Sequence, residues 1–284
     1  MPIKIENISY TYDLRTPFEK IALTNVSLDI ADHTIVGIMG ASGSGKSTLL
    51  KILAGLLVPK VGKIFIDGEN ILDKNKSYKH KNHQISLVFQ FPEAQFVQDT
   101  VYDEIAYGLS FTKLDRTEIE TRVINSMELI GLPYKKYRNV KLIYLSSGEK
   151  RRVAIATILA LQTKYLLLDE PTAGLDYLGR KDLKESLIQL KTSKTIIIVS
   201  HNLKYLLSIC DEIYIMSTGT IESYLSKNRS IKDFANLYQQ KYQLPAYIET
   251  LVRLNQMGWS INTNNTGVTE AAQAIAQVLN TRSY

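Results

Sequence analysis

The chain has 284 residues, 45% of them hydrophobic, with 34 Lys and Arg against 28 Asp and Glu. That length fits one large domain, or one of about 200 residues with a smaller appendage. The formal charge of +6 reads as a solvated surface, and without a basic stripe interleaved with aromatics no nucleic-acid partner is expected.

The start, Met1 to Glu6, alternates like a strand and is not a signal peptide. Ile3–Tyr12 and Leu23–Ile30 alternate apolar and polar residues, as antiparallel strands do. Thr34–Met39 is a short apolar strand running into a glycine loop, and a helix is expected from Lys46 to about Leu57. Further strands are read at Gly62–Ile66 and Ile85–Phe89. From Asp99 to about Leu132 the apolar spacing is helical, and another helix fits Glu149–Leu161. Tyr165–Leu168 and Thr195–Val199 are continuous apolar runs, as in buried parallel strands. The amphipathic stretch at about Leu178–Lys191 lies between them. After about Ser223 the strands end. Residues 230–284 read as short helices around a loop at Asn262–Gly267, with Ala272, Ile275 and Leu279 marking a docked helix. There is no internal repeat and no low-complexity segment. The longest apolar stretch, around Val153–Leu161, falls far short of a bilayer span. A soluble chain is therefore expected, with any membrane role exercised through partners. The lone Cys210 permits no internal disulfide and suits a reducing cytosol.

The pattern is α/β, with a mostly parallel sheet and helices on both faces. The helical stretch near 95–160 reads as an inserted subdomain. The expected division is 1–225 for the main unit and 226–284 for a C-terminal helical extension.

Chemistry concentrates at a few places. Gly40-Ala41-Ser42-Gly43-Ser44-Gly45-Lys46-Ser47 matches G-x-x-x-x-G-K-[ST] in full, between a strand and a helix, with Thr48 following. Glycines let successive backbone N–H groups face phosphate oxygens, and the helix adds its positive end. Lys46 would reach the β- and γ-phosphates of ATP and Ser47 would ligate Mg²⁺. The run Tyr165 to Leu168 ends in Asp169 and Glu170, at the strand end where open α/β sheets bind ligands. Asp169 would hold Mg²⁺ through water, and Glu170 would accept a proton from, or polarise, the attacking water. Gln90, at another strand end, would orient water or bind Mg²⁺, and His201 is placed to touch a γ-phosphate. Leu145-Ser146-Ser147-Gly148-Glu149 opens a long helix: Ser146 or Ser147 caps it, Glu149 lies in its first turn, and the same N-terminus can contact an anion.

These residues in this order resemble the ATP-binding cassette (ABC) ATPases, and the match covers about residues 3–225. The resemblance implies the ABC ATPase form of the P-loop NTPase fold: a mixed sheet, an antiparallel β subdomain, an inserted helical subdomain and a small C-terminal extension, here assigned to dimerisation. It implies that Tyr12, with Tyr10 beside it, stacks on adenine, that Gln90 senses the γ-phosphate, and that Asp176 lies at a dimer interface. Two cassettes would face head to tail, each ATP lying between one phosphate loop and the other chain's Ser146–Glu149 signature. Val88-Phe89-Gln90-Phe91-Pro92-Glu93-Ala94-Gln95-Phe96, together with Arg151 to Ala156, is similar to the energy-coupling factor (ECF) transporter ATPases, second-paralogue type. That implies ATP hydrolysis energising import of vitamins or other micronutrients. The partners implied are a related ATPase (a heterodimer, with a homodimer as alternative), a transmembrane scaffold docking at Phe91–Phe96 with Glu93 facing a basic residue, and, indirectly, a substrate-capturing membrane subunit. The chain would sit on the cytoplasmic face of the cell membrane. The competing reading is the ATPase of a conventional ABC importer, with a soluble non-transport ABC ATPase further off. One residue departs from the family pattern: Ser147 replaces the first signature glycine. The expectation is a loss of glycine's conformational freedom, a side chain facing phosphate, and two unequal composite sites.

Overall fold

The structure is a computed structural model and describes residues 2–72, 84–90, 96–259, 261 and 267–282. Strands β1 (Ile3–Tyr12), β2 (Lys20–Ile30), β4 (Val61–Ile66) and β5 (Glu69–Asn70) form an antiparallel sheet in the order β2-β1-β4-β5. Strands β3 (Ile35–Gly40), β6 (Ile85–Val88), β7 (Tyr165–Asp169), β8 (Thr195–Ser200), β9 (Glu212–Ser217) and β10 (Thr220–Leu225) form the second, in the order β10-β9-β3-β8-β7-β6. All neighbours in it are parallel except the β9–β10 hairpin.

The central strands are buried on both faces, which is why they read as unbroken apolar runs. Their alternate residues serve two cores. Val36, Ile38, Leu167, Ile197 and Val199 point toward the antiparallel sheet and helix α1 (Lys46–Leu53). Ile35, Leu166, Leu168, Ile196 and Ile198 point into the core shared with most of the other helices.

Between β6 and β7 the described residues contain helices α2 (Val101–Tyr107), α3 (Arg116–Leu129), α4 (Tyr134–Tyr137) and α5 (Ser147–Ala160), with two short 3₁₀ turns. Helices α6 (Tyr177–Leu190) and α7 (Leu203–Ile209) flank β8 in sequence. The chain ends in α8 (Ile231–Gln239), α9 (Ala246–Gln256) and α10 (Val268–Arg282). Phe234, Leu237, Ile248 and Leu251 put α8 and α9 in the same core as the sheet. In α10 the residues packed on that core are Ala271, Ala274, Ile275 and Val278; of the three positions read as a docking face only Ile275 is among them, whereas Ala272 and Leu279 are exposed, one helical position off the buried stripe. Cys210 is a free, buried thiol whose pKa is raised by burial.

The differences from expectation are local. Helix α1 stops at Leu53 rather than Leu57, because Gly55 takes φ +77, a left-handed stop. The helical run 99–132 is broken at a 3₁₀ turn, Gly108–Phe111, and by an Asp115 cap that starts α3 anew. Strand β5 and the hairpin β9–β10, together with α7, join the elements foreseen. The segment 91–95 and the loop residues 262–266 lie outside the described residues.

Candidate functional site

Four adjacent parallel strands, β3, β8, β7 and β6, deliver their carboxyl ends to one edge of the sheet. Their register sets Met39 beside Ser200, Asp169 beside Val199 and Val88 beside Leu168. The four ends therefore bring Gly40, His201, Asp169 with Glu170, and Gln90 together, although they span more than half of the chain. A cleft of about 320 Å³ opens there, lined by Tyr12, Lys46, Ser47, Gln90, Asp169 and Glu170 among others. Its remaining lining includes Ser42, Gly43, Gly45, Thr48 and His201, and also Lys20 and Ala22.

The loop Gly40–Gly45 is shaped by sterics. A Cβ on Gly40 would lie 2.4 Å from both Met216 O and Ser44 Oγ, and one on Gly45 would lie 2.6 Å from Ala22 O. Gly45 also has φ +101, where an L side chain is strained. Gly43, at φ +82, has open space instead. Within this curl Lys46, 8% exposed, donates from Nζ to Gly40 O (2.8 Å), Ala41 O (2.7 Å) and Ser44 Oγ (3.3 Å). Burial pulls its pKa below that of an ordinary lysine, with Glu170 and Asp169 acting in the opposite sense. A phosphate chain would supply the negative charge that this buried ammonium lacks at hydrogen-bonding range.

Asp169 is buried at the end of β7, and burial pushes its carboxyl pKa up while the Ser47 hydroxyl, hydrogen-bonded to it, works the other way. A hydroxyl and a carboxylate in contact are hard oxygen donors of the kind Mg²⁺ takes, so the residues fit that ion. Among the described residues no group of three or more His, Cys, Asp and Glu could hold a metal alone.

Glu170 follows at φ +48, left-handed for a non-glycine residue. Such a conformation costs about 1–3 kcal/mol and persists where the surroundings fix it. Its amide donates to Val199 O (2.9 Å). Its Oε2 accepts from Ser200 Oγ (3.0 Å) and its Oε1 from the His201 amide (2.8 Å), with His201 Nδ1 at 2.7 Å. The turn thus aims one carboxylate, nearly buried, at the ring of a well-exposed histidine.

Tyr12 is also part of the cleft wall. Its hydroxyl is 3.2 Å from Thr48 Oγ1, and its ring meets Tyr10 edge-on at 4.9 Å between centroids. Lys20 and Ala22 reach the cleft because β2 pairs with β1, which sets Lys20 opposite Tyr12. No local motif marks those two positions; the strand register alone does.

Ser146, Ser147, Gly148, Glu149 and Asp176 line a different depression, bordered by Gly174 and Arg152. Ser146 is the cap: its Oγ accepts from the Glu149 amide (3.3 Å), while Glu149 Oε2 accepts from the Ser146 amide (2.8 Å), a complete capping box. Glu149 Oε1 accepts from Tyr137 Oη (2.7 Å). The backbone bond from Ser146, then the Tyr137 bond, hold the Glu149 carboxyl below its usual pKa. Ser147 is the first helical residue and exposed, and its φ is not positive, so this position needs no glycine freedom. Its hydroxyl does stand at the open helix end. Asp176 caps α6, accepting from the Gly179 amide (2.8 Å).

The model of the ABC transporter family matches residues 23–173. The chain is 38% identical over 281 residues to the energy-coupling factor transporter ATP-binding protein EcfA2 of Clostridium perfringens, covering 98% of this chain and 99% of that one. It is 39% identical to the EcfA2 of Caldanaerobacter subterraneus, covering 98% of each. Among solved structures it is similar to the ATP-binding cassette MJ0796, a dimer in a post-hydrolysis state with ADP and Pi, at a TM-score of 0.71 and 29% identity over 79% of this chain and 98% of that one. It is equally similar to cbiO1 of C. perfringens, part of the transporter complex cbiONQ, at a TM-score of 0.71 and 29% identity over 90% and 97% of the two chains.

Proposed function

The chain belongs to the ABC transporter ATP-binding family, and from that premise we propose that it is the ATP-hydrolysing subunit of an energy-coupling factor importer, working in a head-to-tail cassette pair. One observation carries the pairing. The phosphate-binding cleft and the signature depression are separate surfaces lined by different residues, so another chain's signature is needed to cover this chain's ATP. The cassette dimer of MJ0796 with ADP and Pi supports this reading.

In the loaded cleft, Tyr12 stacks on adenine, and the amides of Gly43, Ser44 and Gly45 face the phosphates. Lys46 exchanges its bonds to the loop carbonyls for the β- and γ-phosphates. Ser47, Asp169 and Gln90 would hold Mg²⁺, which would offset charge on the phosphate oxygens. Glu170 takes a proton from water as the water oxygen bonds to the γ-phosphorus and the β–γ bridging oxygen departs with ADP. His201 contacts the γ-phosphate and, through Nδ1, keeps Glu170 in place. ATP closes the pair; hydrolysis and product release reopen it, moving the membrane subunits.

Residues 1–225 act as the nucleotide-binding unit, with about 95–160 as its helical subdomain, and 226–284 as a dimerisation extension. The exposed apolar side chains of Met257 and Val268 support that role. The scaffold's cytoplasmic helices dock at Phe91–Phe96, of which only Phe96 is among the described residues. Among the described residues no helix is long and apolar enough to cross a membrane. A peripheral place on the cytoplasmic face, held by membrane subunits, is consistent with that.

Glu170→Gln in the assembled complex tests the chemistry. It should keep ATP bound in a closed pair and lower turnover by about 100-fold or more. Near-normal hydrolysis would remove Glu170 as the base.

A further inference from the structure

Arg151 lines neither the cleft nor the signature depression but lies behind the cleft wall. It lies on α5 five residues after the Ser146 cap and is 3% exposed. Its Nη1 donates to the carbonyl of Gln90, and its Nη2 donates to the carbonyls of Asp169 (2.9 Å) and Glu170. Arg152, the next residue, is placed differently. It donates to Gly131 O (3.2 Å) and faces Asp182 at 3.9 Å, joining helix to helix.

The three carbonyls that Arg151 holds are not arbitrary. Two of them flank the left-handed Cα of Glu170, and the third belongs to the residue at which β6 opens onto the cleft. Fixing the peptides on both sides of that Cα fixes where its Cβ points. It thereby fixes the carboxylate that meets Ser200 and His201. The planar fork of a guanidinium can span two backbone segments at set spacing, which a single ammonium cannot. The capping box of the signature opens the same helix, little more than one turn before Arg151.

We propose that Arg151 is a positioning residue for hydrolysis that ties the signature helix to the turn carrying Glu170 and to Gln90. The proposal rests on the reading of Glu170 as base and of the signature as serving a partner's ATP. Under that reading, one rigid helix connects the two composite sites: its first turn faces the partner's nucleotide, and Arg151 holds the base that acts on this chain's own. Seating of Ser146 on the partner's ATP therefore sets the aim of Glu170 at this chain's own site.

The test compares wild type, Arg151→Met and Arg151→Lys by amide hydrogen exchange of the full chain and by steady-state ATPase of the assembled complex. In Arg151→Met the Glu170 and His201 amides should exchange about tenfold faster, while the core amides of β3 keep their protection. The kcat should fall about 100-fold with KM for ATP little changed, as for a misplaced but intact base. Arg151→Lys, which keeps the charge and part of the bonding, should fall between. Unchanged exchange at Glu170 and His201, or a kcat within about twofold of wild type, would overturn the proposal. If Arg151→Met does not fold, wild-type exchange and kcat in Arg151→Lys overturn it alone. A wild-type complex with no ATPase activity would instead count against the proposed function, and the exchange result would still decide the placement of Arg151.

Discussion

Gly45→Ala is the substitution whose cost the structure defines best. Gly45 has φ +101 and caps α1, so any side chain there is strained. An L residue in left-handed geometry costs about 1–2 kcal/mol. The new Cβ would also lie 2.6 Å from Ala22 O and 2.7 Å from Leu23 Cδ2. The first is backbone of a paired strand and cannot swing aside, and such overpacking costs about 1–3 kcal/mol. The sum, about 3 kcal/mol, is a large share of a typical stability of about 5–15 kcal/mol and should lower the melting midpoint by roughly 10 °C. Gly43→Ala is the control: its φ of +82 brings the same kind of strain, but nothing lies within 4 Å of the new Cβ. It should cost only about 1–2 kcal/mol. Chemical denaturation of the three proteins, followed by melting with and without Mg-ATP, measures both. Equal destabilisation by the two substitutions would refute the steric half of the reasoning. Normal stabilisation by ATP in Gly45→Ala would refute the placement of phosphate in this loop.

Ser147→Gly in the assembled complex should raise hydrolysis at the partner's ATP more than at this chain's phosphate loop, because the serine stands exposed in the first turn of α5; unchanged ATPase and transport rates would count against unequal sites. Glu149→Gln tests the capping box through pH. The Glu149 pKa is lowered in the fold from 4.5, so the stability its charge contributes is fully present above about that value and is lost as pH falls through the lower folded one. The difference in unfolding free energy between wild type and Glu149→Gln should therefore be largest near neutrality and shrink on acidification below that point; a difference that grows there would reverse the sign.

Much of the site was legible because its parts are local. Gly40–Ser47 and Asp169–Glu170 each pair a strand end with residues a few positions apart, and the parallel sheet places both at one edge. What the sequence hid is set by register and packing. Lys20 enters the cleft only because it pairs with Tyr12 across β1 and β2. In Arg151-Arg152 nothing local says which guanidinium turns inward, yet one is buried against three carbonyls and the other is half-buried between helices. The overrun of α1 has a similar cause: Leu56 and Leu57 continue the apolar spacing, but the left-handed Gly55 ends the helix before them. At Ser147 the family pattern suggested a lost glycine conformation, whereas the residue is an ordinary first turn of helix; the consequence that remains is the added hydroxyl.

Central to the proposed mechanism is the separation of the phosphate loop from the signature that completes it. The most direct measurement is ATPase activity per molecule of this chain, alone across a range of concentrations and then in the assembled complex with the partner's signature intact or altered. A low activity alone, a rise on assembly, and its loss at this chain's site when the partner's signature is altered, with ATP still bound, are the predicted results. Activity alone that matches the complex and is independent of both concentration and the partner's signature would contradict the composite site.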